Sequence, residues 1–189
     1  MIEIKNVSKA YNGINVLDNY NAVIDDNGVT CFRGPSGCGK TTLLNIILGL
    51  INPDSGEIKG IEGLKVSCVF QEDRLLEWGS ALNNVMFVLK HGEEEKAKKA
   101  LLLADLSLDI HDKQVTELSG GMRRRVAIAR ALAVEFDILI MDEPFKGLDA
   151  PRKNQVMEHI KHYSKDKAVI IVTHDQLEIE AIADKVYNM

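Results

Sequence analysis

An α/β fold built around a buried parallel sheet is predicted by three stretches of this sequence. The first is Val29-Thr-Cys-Phe-Arg33, β-branched like a strand, which runs into Gly34-Pro-Ser-Gly-Cys-Gly-Lys-Thr-Thr42 and then into the apolar run Leu43 to Leu50. Strand, glycine loop and helix in that order is the context in which G-x-x-x-x-G-K-[ST] cradles phosphate. The second is Asp137-Ile-Leu-Ile-Met-Asp-Glu143, and the third is Ala168 to Val172, which ends at Thr173-His174-Asp175. Unbroken apolar runs of this length suit parallel strands buried on both faces, and ligands bind beyond the carboxyl ends of such strands.

In chain order, Ile2 to Ser8 and Ile14 to Ile24 alternate apolar and polar positions around Tyr11-Asn12-Gly13, which predicts a hairpin. Asn52-Pro-Asp-Ser-Gly56 is a dense turn signal, and Glu57 to Lys59 and Lys65 to Phe70 read as short strands. Glu72 to Trp78 has no period, and Trp78 is expected to be a buried anchor at this junction, although an exposed tryptophan would suit a partner's helix. Helical spacing follows in Ala81 to Leu89 and again in Glu93 to Leu106, where Ala97, Ala100, Leu101 and Ala104 share one face. Leu118-Ser-Gly-Gly-Met122 opens a helix through Ala133, with Ser119 as N-cap. A further helix begins near Ala150 with Pro151 in its first turn, and Asp175 with Glu178 reads as the capping pair of the last one.

The residue types at these junctions point to phosphate chemistry. Gly34, Gly37 and Gly39 allow a tight turn with inward N–H groups at a helix N-terminus, flanked by Pro35, Ser36 and Cys38. Lys40 is placed to reach β and γ phosphates, Thr41 to ligate Mg²⁺ and Thr42 to bond an inner phosphate. Asp142 can hold Mg²⁺, directly or through water, and Glu143 can take a proton from an attacking water. His174 converges on the same strand ends and is expected to contact phosphate. Tyr11 either stacks on a base or packs at its turn. Ser119, Gly120 and Gly121, with bare N–H groups at a positive dipole end, form a second anion site. The arginines 123–125 are expected to make ion pairs or support a phosphate.

With 189 residues, one compact domain with its own core is expected. Hydrophobic and charged shares of 46% and 27% are those of an ordinary globular chain, and a net charge of −5 argues against a nucleic-acid-coating protein. Cys31, Cys38 and Cys68 show neither disulfide nor zinc spacing, so a reducing cytoplasm is expected. No apolar stretch reaches the length of a bilayer span and the N-terminus lacks a leader pattern, so any service to a membrane is expected to run through a partner.

The ordered set of phosphate loop, Gln71 after a strand, Leu118-Ser-Gly-Gly, Ile140-Met-Asp-Glu-Pro144, Gly147-Leu-Asp149 and His174 resembles the nucleotide-binding domain of ATP-binding-cassette transporters over nearly the whole chain. The resemblance implies a P-loop NTPase with a RecA-like parallel core, an antiparallel β edge and an inserted α-helical subdomain. It divides the single domain into 1–70 with 131–189 and the helical insertion 71–130. It also implies a head-to-tail homodimer with two ATP molecules at its interface, the glycine loop of one chain facing Ser119, Gly120 and Gly121 of the other. Under the resemblance Tyr11 stacks on adenine, Gln71 senses Mg²⁺ and the attacking water, Asp149 contacts the opposite subunit, His174 holds the γ-phosphate and Glu143 is the general base.

Val69 to Trp78 and Leu118 to Val126 are most similar to bacterial importer ATPases for nitrate, sulfonate or taurine, with Glu77 where proline is usual and Lys146 where glycine is common. Implied partners are a membrane permease, docked on Gln71 to Leu89 at the inner face of the cell membrane, and indirectly a solute-binding protein. The sequence ends soon after its last predicted strand, without the C-terminal regulatory extension that some importers of this family carry, so regulatory-domain gating is not expected. Two rivals fit less of the sequence. A non-transport cassette acting on nucleic acid or ribosomes would bring a long coiled coil or a second cassette, and a soluble nucleotide kinase has no use for Leu118-Ser-Gly-Gly-Met122.

Overall fold

The computed structural model describes residues 1–189. β1 (Ile2–Tyr11) and β2 (Ile14–Ile24) form the N-terminal hairpin, turning at Asn12 and Gly13, whose φ values of 51° and 80° are the left-handed pair that a tight hairpin turn requires. β4 (Ser55–Lys59) lies antiparallel on the other side of β1 and completes a three-stranded sheet in the order β2-β1-β4.

The second sheet is wholly parallel. Its strands are β3 (Gly28–Arg33), β5 (Val66–Val69), β6 (Ile138–Asp142), β7 (Ala168–Val172) and β8 (Lys185–Asn188), in the order β5-β6-β7-β3-β8. Strand alternation sends Cys31, Leu139, Met141, Val169 and Ile171 to one face, where they pack with α6 (Ala150–Ser164), α7 (Gln176–Ile182) and part of α5 (Gly120–Ala133). Phe32, Ile138, Ile140, Ile170 and Val172 take the other face, beneath α1 (Lys40–Ile47) and the buried side of the antiparallel sheet. Both faces are covered, which is why β6 and β7 read as unbroken apolar runs.

A third cluster is helical. α2 (Ala81–Met86), α3 (Glu94–Leu103), α4 (Leu108–His111) and a 3-10 turn at Val115–Glu117 bury Leu82, Val85, Leu101 and Leu106 against Val126, Ala129 and Ala133 of α5. The neighbouring positions Ala127, Ile128, Ala131 and Leu132 belong instead to the sheet core. One helix therefore presents two apolar stripes, one to each body.

Several expectations need correction. α1 stops at Ile47, because Gly49 turns out at φ 68° and donates back to Ile46, leaving Leu50 56% exposed. α2 ends at Met86 rather than Leu89. Trp78 is not a buried anchor; it is 71% exposed on the loop after β5. Asp175 caps α7 by accepting from the N–H groups of Leu177 and Glu178, but the Glu178 carboxylate does not close a capping box. It is buried instead, accepting from the Thr173 hydroxyl and from Lys153, each at 2.6 Å. β8, α4 and the 3-10 turn were not foreseen; each is four residues or fewer, too short to show a period.

Leu139 is fully buried in the sheet core, so Leu139→Ala should lower the unfolding free energy by about 2–5 kcal/mol in a denaturant titration. Lys99→Ala, on the solvent side of α3, should change it by less than about 0.5 kcal/mol.

Candidate functional site

The strands of the parallel sheet end together, and the loops that leave them meet at one edge. Register aligns Phe32 with Val172 and Val172 with Asp142, while Val69 lies beside Met141. The glycine loop, Gln71, Glu143 and His174 each follow within two residues of these rows.

Gly39 closes the loop at φ 104°, and a β-carbon there would lie 2.7 Å from the carbonyl oxygen of Val16, so only glycine fits beneath β2. No acidic residue occupies the first turn of α1, which leaves its N-terminal dipole free for an anion. The Lys40 ammonium folds across the loop and donates to the carbonyls of Gly34 and Pro35 at 2.7 and 2.8 Å. It is held at the mouth of the cradle. Thr41 Oγ1 donates to Asp142 Oδ2 at 2.9 Å, tying helix α1 to the end of β6.

Glu143 sits at φ 48°, a left-handed conformation uncommon for a residue with a β-carbon. Its N–H donates to Val172 O at 2.8 Å, and its Oε1 lies 2.7 Å from His174 Nδ1. The cleft in front of these groups has a volume of about 380 Å³ and is walled by Ser36, Gly37, Lys40, Thr41, Thr42, Gln71, Asp142 and Glu143. Burial pushes the Asp142 carboxyl above the usual carboxylate range and the charge of Glu143 adds to this, while the Thr41 hydroxyl opposes it.

Other expected site residues lie elsewhere. Gly34, Pro35 and Cys38 belong to the loop but do not line the cleft, and Tyr11 stands half-exposed at the hairpin tip with Lys9 Nζ 5.7 Å from its ring. Ser119 caps α5 by accepting from Met122 N–H at 3.3 Å. With Gly121 and Asp149 it lines a separate hollow of about 390 Å³ that shares no residue with the first. Gly121 packs so close to Gly147 that a β-carbon would lie 2.9 Å from its carbonyl oxygen. Asp149 caps α6 through Arg152 N–H at 3.1 Å, and that bond holds its carboxyl below the ordinary range. In a single chain the two candidate anion sites therefore do not meet.

A family model described as ABC transporter matches residues 17–146. The sulfate/thiosulfate import ATP-binding protein CysA of Pseudomonas aeruginosa is 40% identical over 208 residues, covering 100% of this chain and 63% of that protein. The chain belongs to the ABC transporter family. The bicarbonate transport ATP-binding protein CmpD of Synechocystis is 36% identical, covering 100% of this ABC cassette and 73% of the relative. The Fe(3+) ions import ATP-binding protein FbpC 1 of Haemophilus influenzae is 37% identical over 98% of this chain and 62% of its own length. The cassette thus spans under two thirds of two of these three relatives. Among solved structures, the dimeric ABC transporter cassette MJ0796 superposes with a TM-score of 0.91 at 32% identity, covering 100% of this chain and 94% of that one. A post-hydrolysis state of MJ0796 bound to ADP and Pi gives the same TM-score at 31% identity.

Two features of this ABC cassette escaped the sequence. Val16 lines the cleft because β2 passes over the glycine loop, and no local signal marks it. Arg124 was expected in an ion pair or near a phosphate; it pairs with Asp73 at 3.1 Å, yet it also binds five backbone carbonyls.

Because the folded-state pKa of Asp142 is raised, the native state binds its proton more tightly than the unfolded chain does. The stabilising contribution is complete below the unfolded pKa and is lost as pH rises through the folded one. Asp142→Asn should therefore raise the Tm of the nucleotide-free protein at pH 7 in EDTA, with the gain shrinking as pH falls toward 4. Thermal melts across that range check it.

Proposed function

We propose that this cassette is the ATP-hydrolysing subunit of an importer, closing as a homodimer on two ATP molecules and driving a membrane permease. The observation that carries the reading is the 2.7 Å Glu143–His174 pair at the mouth of a cleft already holding Lys40, Thr41 and Asp142. An acceptor for a water proton then stands beside a cradle shaped for polyphosphate.

In this reading the glycine-loop N–H groups and Lys40 hold the phosphates, with Lys40 exchanging its two carbonyl partners for phosphate oxygens. Glu143 takes a proton from water as the water oxygen bonds to the γ-phosphorus and the bond to the ADP oxygen breaks; phosphate and ADP leave. His174 orients the Glu143 carboxylate from one side and faces the γ-phosphate from the other. A buried carboxylate and a hydroxyl 2.9 Å apart suit Mg²⁺, which takes few protein oxygens and shares its remaining positions with water and phosphate. Thr41 and Asp142 would hold the ion, with Gln71 at the cleft wall, and it would supply neutralisation of phosphate charge.

The separation of the two anion sites supports the dimer. The hollow at Ser119, Gly121 and Asp149 has no phosphate cradle of its own, and the glycine-loop cleft has no second wall. A second chain turned head to tail completes both, and Tyr11, exposed at the hairpin tip, is free to stack on adenine there. Residues 71–130 form the inserted helical lobe in this reading.

No helix is long and apolar enough to cross a membrane. We place the cassette on the cytoplasmic face through the permease, which docks on exposed Trp78, Phe87 and Val88 along the loop after β5 and the end of α2. Its cargo is a small anion; sulfonate, nitrate or taurine remains our reading from Val69 to Trp78, alongside relatives that serve sulfate/thiosulfate and bicarbonate. Recognition of that anion falls to the solute-binding protein and the permease.

Glu143→Gln should retain ATP binding while lowering turnover by at least about 10²-fold, and it should shift from monomer to dimer in ATP and Mg²⁺ during size-exclusion chromatography. Normal steady-state hydrolysis by this variant would refute the assignment of the base. Trp78→Glu should abolish co-purification with the proposed permease partner, and retained capture would remove the docking surface.

A further inference from the structure

Arg124 belongs to the second turn of α5, five residues beyond Ser119, and its side chain is 4% exposed. It does not reach the cleft wall. Its guanidinium runs inward and is saturated by two loops. Nε donates to Pro144 O at 3.1 Å, and Nη2 donates to Asp142 O and Glu143 O at 2.6 and 2.8 Å. Nη1 donates to Phe70 O at 2.5 Å, to Asp73 Oδ1 at 3.1 Å and, at the limit of a bond, to Gln71 O at 3.4 Å. All three guanidinium nitrogens are engaged, and a planar fork of five donors is the one side chain able to do this.

We infer that Arg124 is a positioning residue for hydrolysis, the joint that locks Glu143 and Gln71 into one geometry and ties both to the helix that carries Ser119. The inference rests on the ATPase reading above. Two observations set it apart from ordinary packing. Glu143 adopts a φ of 48°, and such a conformation persists only where surrounding contacts over-determine it; the bonds to Glu143 O, Asp142 O and Pro144 O bracket that peptide on both sides. The backbone of Glu143, and with it the start of the carboxylate that faces His174, is thus held from α5. The same fork grips Phe70 and Gln71, so the loop that carries Gln71 cannot move relative to Glu143 without breaking bonds to a buried charge whose only carboxylate partner is Asp73. A shift of Gln71 by a docked partner would reach Glu143 and α5 together through this side chain.

A lysine at this position keeps the charge but cannot span both loops. Arg124→Lys should lower kcat per nucleotide-binding site by about 10–100-fold, the scale of a reacting group displaced by about 1 Å. The Kd for a fluorescent ATP analogue should stay within about threefold, because Arg124 makes no hydrogen bond to the glycine loop or Lys40, which hold the phosphates in this reading. Expressing kcat per titrated binding site removes any loss of folded protein. Arg124→Lys introduced into Glu143→Gln should slow single-turnover hydrolysis no further, since one change acts through the other. Asp73→Asn, which leaves the fork in place but unneutralised, should show a milder loss with the same kcat-against-Kd split and serves if the lysine variant does not fold. Wild-type kcat per site in both variants, a fall in affinity that accounts for the lost rate, or a fully additive double variant would overturn the inference. Absence of ATP hydrolysis by the wild-type chain in the same assay would instead overturn the ATPase reading, and this inference with it.

Discussion

Parallel pairing in register is the constraint on which the cleft depends. Phe32, Val172 and Asp142 lie in one row across three strands, so the chain leaves each of them at the same height and toward the same side. A parallel strand cannot be reached by a tight turn, and each crossover returns the chain through a helix to the far end of the sheet. Four loops that run from Gly34 to His174 in the sequence thereby share one edge, and each needs to carry only one or two polar groups. A one-residue slip of β6 would turn Asp142 away from Thr41 and exchange Leu139 and Met141 for Ile138 and Ile140 in the wrong core. The apolar faces of β6 therefore hold the carboxylates in place.

The helical lobe is joined to this edge chiefly through α5, whose two stripes bury themselves in two different cores. A helix shared in this way cannot rotate freely with either body. Its N-terminus carries Ser119, its second turn carries Arg124, and its flank receives the loop of Gln71 through that arginine. The serine-glycine end also touches the loop that leads into α6, where Gly121 lies against Gly147. Buried arginine contacts of this kind stabilise little in net terms, since desolvation offsets most of their attraction, but they admit few alternative arrangements. That property would suit a helix that moves between the open and closed states of the proposed dimer.

The proposed dimer follows from incompleteness. Each proposed anion site has a helix N-terminus, and the two lie apart in the single chain, so joining two chains through nucleotide would bring them together. In the proposed dimer the bound triphosphate would supply the bridging charge, so its hydrolysis would change the free energy of the closed state directly, with no separate trigger.

Much of this was legible in the residues themselves. The glycine turn, the Ser119 cap and the paired apolar runs announce themselves because they are local features: a turn that only glycine allows, a cap, a strand buried on both sides. Trp78 was misread for the opposite reason, since an aromatic side chain at an aperiodic junction carries no sign of whether a neighbouring element covers it; here none does. Val16 in the cleft wall, the Glu143–His174 contact and the enclosure of Arg124 by carbonyls from two distant loops depend on which strand lies beside which. Periodicity and spacing determined the longer elements and which polar residues stand at their ends. Only the tertiary structure decided how those ends face one another, because that rests on long-range pairing between segments that have no interaction along the chain.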